Sequence, residues 1–328
     1  MPQELLELQQ HIIASGKIAI TSVSAGSATI TVTDAAAHNA IIAVTVAADG
    51  TITIGTITKH LFSVVNTRTG VDCTAIQTAI DAAISGDTIL VKAESYIGAL
   101  AISTNNLTLK SVNGSGTTII DASSAKTGIS ISGTGITVEG FKIINFGDGT
   151  NSYAIWVHEG AANATITNNY ITTSRKDSVS HGIMVDSIGA HIIGNTIENL
   201  SYTVGGAPVS GYASTGIGLW DAQDVLVENN TIDNVEIGIG IYPAGYVTIT
   251  MSGIVISGND IKNNTVAGLH FSPYGVILQS VVSATGNTFT DNAIQVEDAN
   301  TGTAIDLTTI LGTNTFSPTS IINGRSIK

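Results

Sequence analysis

Both tryptophans of the chain fall in short runs that share one pattern. Residues 128–131, 154–158, 182–186, 216–221, 238–242, 268–271 and 293–297 each begin with Gly or Ala and then alternate Ile, Val or Leu with a variable residue. The alternation is that of a strand with one face in a core. The variable positions then form two outward columns. One holds Trp156, Met184, Gly218, Gly240 and His270; the other holds His158, Asp186, Trp220, Tyr242, Ser272 and Glu297. Aromatics are only 5% of the chain, so their gathering here points to a site. Sugar rings stack on Trp and Tyr, and Asp and His reach hydroxyl groups. Trp156, His158, Trp220, Tyr242, His270 and Tyr274 are therefore the expected substrate-binding set. The bland alternative is that these rings pack beneath their own loops.

Catalysis on such a wall has two candidate forms. A lyase acting on a uronate needs a base and a cation against the carboxylate. Arg175 and Lys176 are the only Lys or Arg between residues 143 and 261. Asp148, Asp177, Asp186 and Asp221 offer hard oxygen ligands for Ca²⁺. A glycosidase needs two carboxyl groups roughly 5 to 10 Å apart. Asp186 and Asp221 lie on neighbouring runs, one register apart. Neither constellation is specific, and Arg175 and Lys176 read more readily as solvated loop charges.

The elements that position these residues repeat. Phe141, Asn169, Asn195, Asn230, Asn259, Asn287 and Asn314 are equivalent, with steps of 28, 26, 35, 29, 28 and 27 residues. A period in this range marks a solenoid, and the alternation makes its walls strands. Asn and Gly suit strand corners with positive φ. Stacked coils place such corners about 4.8 Å apart, so the asparagines should form a hydrogen-bonded ladder. Their expected role is structural. The longest connections, 145–152, 172–180 and 201–214, flank the aromatic wall and make it a groove.

The 328 residues carry net charge −13, which argues against nucleic acid as partner. Mean hydropathy is +0.33, yet no run of about 18 apolar residues offers a membrane span. One cysteine, Cys73, allows no intrachain disulfide. Low charge with abundant Thr, Ser, Gly and Asn fits an extracellular or cell-surface protein. Residues 1–4 lack the basic start of a signal peptide, which suggests a fragment whose Met1 was added. Asn106, Asn113, Asn163, Asn199, Asn229 and Asn263 head Asn-x-Ser/Thr sequons.

Along the chain, 3–14 reads as an amphipathic helix, followed by four alternating runs within 17–57. The domain plan is 1–58 (helix plus small β module), 59–67 (linker) and 68–328 (solenoid), with a capping helix near 74–84. Asp72 or Thr74 is available as its N-cap. Such a cap keeps the first coil from exposing its core.

Two resemblances follow. Residues 27–36, SATITVTDAA, are similar to repeats of bacterial surface-anchored Ig-like modules. The segment CTAIQTAIDAA from Cys73, then GDTILV, LTLKS, ITVEGFKI and the NN-x-I coils, resembles the pectate-lyase-like right-handed parallel β-helix superfamily, and most its surface proteins with NosD-type repeats. The resemblance covers 68–320. It implies an all-β, single-stranded parallel β-helix but no one activity, since this scaffold hosts lyases, hydrolases, esterases and adhesins. The catalytic sets of polygalacturonases and of the main pectate lyase family are absent, save a fragment at Ser180-His181-Gly182. The expectation is a cell-surface protein that binds or displays on polysaccharide without chemistry. A Ca²⁺-dependent lyase or a glycosidase is the alternative, and a self-assembling subunit that docks on copies of itself or on another surface protein is the third. The expected cofactor is none, or Ca²⁺ for the lyase.

Overall fold

The computed structural model describes residues 11–13, 17–19, 25–33, 39–54, 58–60, 63–149, 151–204, 207–208, 213–243, 251–272, 282–299, 306–317 and 322–323. These fall into two units, 1–62 and 63–328.

In the first unit, Gly26–Thr33, Asn39–Val46, Ile52–Ile54 and Thr58–His60 form an antiparallel sheet. Its long hairpin pairs Gly26 with Val46 through to Thr33 with Asn39. The helix expected over 3–14 is not what its last residues form. His11–Ile13 is a strand, paired antiparallel with Lys17–Ala19. His11, Ile12 and Ile13 have only Ala14 through Gly16 before the next apolar run, and a tight hairpin satisfies their backbone groups as a lone helical turn cannot. The rest of that expected helix lies outside the described residues. The segment expected as a linker also carries strands: Thr58–His60 ends the first unit's sheet, and Val64–Asn66 opens the second unit.

The second unit is a parallel β-solenoid of three long sheets. Each complete coil gives one strand to each. Thr165–Thr167, Tyr170–Thr172 and Ser180–Val185 are one such coil, and His191–Ile193 then returns to the first of the sheets. Apolar residues stack in register inside: Leu109, Val138, Ile166, Ile192, Val227 and Ile256 form one column, and all are fully buried. Parallel pairing in register puts like on like, so each coil covers its neighbour's apolar face.

The ladder is present as the spacing predicts. Asn169, Asn195, Asn230, Asn259 and Asn287 each donate Nδ2 to the Oδ1 of the next asparagine, ending on Asn314, at 2.8–3.1 Å. Each Oδ1 also accepts a backbone N–H from the coil before, as in Phe141 to Asn169 at 2.9 Å. These amides satisfy buried corners where the strand pairing breaks.

A short helix, Ile76–Asp81, buries Ile76, Ala79 and Ile80 at the start of the solenoid. Its N-cap is Ala75, without a side-chain cap. Asp72 lies instead in the two-residue strand Asp72–Cys73. The corner is held by Asp87, which accepts from Arg68 (2.6 and 3.0 Å), Asn66 (2.7 Å) and the Ile84 N–H (3.0 Å).

Candidate binding wall

The wall is the sheet running from Leu100–Ile102 through Thr127–Ile131, Ser152–Val157, Ser180–Val185, Thr215–Trp220, Ile237–Tyr242, Ala267–Phe271 and Val296–Asp298 to Ile322–Asn323. Its register stacks Ser130, Trp156, Met184, Gly218, Gly240, His270 and Glu297. Trp220 pairs with Tyr242 beside them. Glu297 was expected in the second column, beside Ser272. It stands instead on His270, two residues from the expected register, and its Oε2 lies 2.7 Å from His270 Nδ1. A two-residue shift keeps the same residues inward, so alternation alone does not detect it.

Alternation slips once in each long wall strand. In Ser152–Val157 the neighbours Ala154 and Ile155 are both buried. Tyr153, three residues before Trp156, therefore shares its side of the sheet: the two rings are 4.6 Å apart. His181 follows one coil on, 5.3 Å from Tyr153 and stacked on it. A strict period of two misses both residues. Gly182 marks the slip, because a Cβ there would lie 2.5 Å from the Gly216 carbonyl oxygen and 2.8 Å from Ile197.

Two clusters result. In the first, Trp156 stacks on His158 at 3.9 Å. The His158 Nε2 lies 2.8 Å from Ser130 Oγ, and burial pulls its pKa down. Trp156 Nε1 donates to Asp186 Oδ2 at 2.8 Å. Asp186 Oδ1 is buried with no hydrogen-bond partner among the described residues, as is His181 Nδ1. Burial raises Asp186 to about 6; the Trp156 bond opposes this, and the Asp221 and Glu159 charges add to it. Burial lowers His181 to about 4, so both imidazoles are neutral at pH 7.

In the second cluster, the Tyr242 ring lies over Gly218 and Gly240, where a Cβ at Gly240 would collide with it. Its hydroxyl reaches Thr215 Oγ1 at 2.9 Å, and burial pushes its pKa up to about 12. Trp220 and His270 flank it at 5.9 and 6.1 Å. Trp220 is 44% exposed, so one large ring stands open on the wall. Glycines thus provide a floor that lets an aromatic ring lie flat.

The other expected residues lie on loops at the wall's edge. Arg175 bonds Asp177 (2.6 and 3.2 Å) and Ser124 Oγ (2.6 Å). Lys176 Nζ donates to the Asn199 carbonyl at 2.6 Å, and burial lowers its pKa. Asp148 caps its own turn, its Oδ1 3.5 Å from Ser152 Oγ. The loops brace one another: Gly149 N–H donates to Ser178 Oγ at 2.7 Å, and Ser180 N–H to Ser214 Oγ at 3.1 Å. Asp221 sits at a corner with φ 47°, beyond Trp220. Among the described residues, no three His, Cys, Asp or Glu side chains gather closely enough to hold a metal ion. No three of Asp148, Asp177, Asp186 and Asp221 are brought together. Tyr274 lies outside the described residues. No described helix is long and apolar enough to cross a membrane.

A family model described as right handed beta helix region matches residues 87–310. No curated protein matches the chain. Among solved structures, the chain is similar to a Yersinia enterocolitica Family 28 exopolygalacturonase (15% identity, TM-score 0.40), covering 79% of this chain and 60% of that one. It is also similar to alginate lyase AlyF-OU02 in complex with G6 (13%, 0.37; 67% of this chain, 51% of that one). A pectin methylesterase in complex with hexasaccharide VII is a third (13%, 0.36; 69% and 76%). The chain therefore spans 60% and 51% of the first two.

Proposed function

From the premise that the chain belongs to the right handed beta helix region family, a scaffold that fixes no single activity, we propose that it is an extracellular or cell-surface protein whose outer wall binds polysaccharide without chemistry. One observation carries this reading. Tyr153, Trp156 and His158, then Trp220, Tyr242 and His270, line one sheet face in contact pairs 3.9–6.1 Å apart. Rings in file offer a linear sugar chain successive stacking surfaces, and Asp186 supplies an acceptor between them. A packing role alone would cover the rings, whereas Trp220 is open.

Affinity electrophoresis through gels loaded with single polysaccharides tests this. Retardation by at least one polymer, lost on Trp220→Ala while the melting temperature holds, is the expected result. Passage through every gel at the free mobility would refute it.

A second reading, glycoside hydrolysis, is favoured by one feature. Asp186 has the raised pKa of a general acid and lies near a second carboxylate, Asp221. Release of reducing ends by the wild type and not by Asp186→Asn would move the assignment there. The lyase alternative has less support. Arg175 and Lys176, its expected cations, are held by Asp177, Ser124 and the Asn199 carbonyl. New ultraviolet absorbance from unsaturated ends, abolished by a chelator, would restore it.

A further inference from the structure

We propose that the wall selects glycans without carboxylates, recognising hydroxyl donors, and rejects polyuronates. This rests on the reading of the wall as a polysaccharide site and names the substrate class that the site takes.

A uronate needs a cation or several N–H donors facing its carboxylate. The wall offers carboxylates instead. No strand of this sheet contains Lys or Arg, from Leu100–Ile102 to Ile322–Asn323. Acidic groups recur along it: Glu159 follows His158, Asp186 holds Trp156, Asp221 follows Trp220, and Glu297 holds His270. The histidines do not compensate. His158 and His181 are kept neutral by burial, and His270 already faces Glu297. Arg175 and Lys176 point their charges into loop partners. Lys126, exposed just ahead of Thr127, is a cation at the rim rather than between the rings. The chain's net charge of −13 repels a polyanion before contact.

The wall has acceptors to offer. Asp186 Oδ1 has no described partner and less than 1 Å² of accessible surface, so a donor reaches it once a neighbouring side chain yields, and a ligand that donates there satisfies it. A sugar hydroxyl does so; a uronate carboxylate would instead set two like charges together, which costs free energy in proportion to their burial. The proposed chemistry is ring stacking on Trp220 and Trp156 with a hydroxyl donated to Asp186.

The test compares one backbone in two charge states. Polygalacturonate and its carboxyl-reduced counterpart are measured by isothermal titration at pH 7.5 in low salt, beside a neutral glucan and a neutral mannan. The expected result is at least 10-fold tighter binding of the carboxyl-reduced polymer. Raising the salt should narrow that gap by screening. Asp186→Asn with Asp221→Asn should narrow it too. Equal or tighter binding of polygalacturonate, lost on Trp220→Ala, would overturn the inference and leave polysaccharide binding standing. No binding by any polymer, neutral or acidic, would overturn both.

Discussion

Asp186→Asn isolates the electrostatics of the wall with little change in shape. An amide keeps an oxygen that accepts the Trp156 Nε1–H, now at 2.8 Å, and removes the charge. The wild-type carboxyl is raised from 3.8 to about 6, first by burial and then by Asp221 and Glu159. The sign follows from linkage. A group whose folded pKa lies above its unfolded value stabilises the fold fully below the unfolded pKa. That stability is lost as pH rises through the folded pKa. The wild type should therefore lose stability between pH 4 and about 7, and Asp186→Asn should not lose this part. A shift of this size corresponds to about 3 kcal/mol at 1.36 kcal/mol per pKa unit. The side chain is partly exposed, so screening brings the expected figure down to about 1–2 kcal/mol. The assay is urea unfolding of both proteins at intervals from pH 4 to 8, followed by tryptophan fluorescence, since Trp156 itself bonds the mutated group. The variant should be close to the wild type in stability at pH 4 and above it at pH 7. A stability difference that is flat across this range would refute the account of Asp186 as a carboxyl strained by burial. A flat difference with both proteins pH-sensitive would assign the sensitivity to other groups.

Three further outcomes are expected. Asn230→Ala removes the acceptor of the Asn195 N–H (2.8 Å) and the donor to the Ile192 carbonyl (2.8 Å). Two orphaned buried groups should cost about 2–4 kcal/mol, read as a lower urea midpoint, whereas Thr285→Ala on an exposed position should change it little. Gly182→Ala brings a Cβ against the Gly216 carbonyl and Ile197; a loss of about 1–3 kcal/mol is expected from overpacking, with fluorescence showing whether Trp156 moves. Asp87 is held well below the usual carboxylate range, chiefly by Arg68 and then by Asn66 and the Ile84 N–H. Stability tied to it is present above pH 4 and lost as pH falls below that value. Asp87→Ala should lower stability by about 2 kcal/mol at pH 7 and flatten the acid limb, with hydrogen exchange rising first around Ile76–Asp81.

The coil period was legible because one residue type had to recur at one corner. Asn169 through Asn314 each satisfy the preceding coil's backbone, so the chemistry of the corner is written in the sequence itself. The wall was half legible. Trp156, Trp220, Tyr242 and His270 obey a period of two and were placed correctly in register. Tyr153 and His181 were missed because Ala154 and Gly182 break that period. The signal was present as a small residue ahead of each apolar pair, but it marks a backbone slip only when a neighbouring coil is known to press on it. Glu297 was misplaced because a slip of two leaves burial unchanged. The helix expected over 3–14 gives way to a strand at His11–Ile13 for another reason. Local amphipathicity cannot weigh a strand partner four residues further on, and the Lys17–Ala19 pairing supplies one.

Small residues and loops on the same sheet explain why the aromatic side chains gather there. The connections over 145–152, 173–179 and 201–214 all enter at the first residue of a wall strand. Their contacts to one another run through Ser178, Ser180 and Ser214. Inserting residues at that corner leaves the other two sheets in register, since the pairings of Thr165–Thr167 and Tyr170–Thr172 are set before the loop begins. The solenoid therefore tolerates variation in these connections. Glycines at 218 and 240 then keep the sheet beside that corner bare enough for Tyr242 to lie across it. A face that combines adjustable loops with a bare floor can hold rings whose positions are fixed by strand register, which is the requirement for gripping a linear polymer at several points.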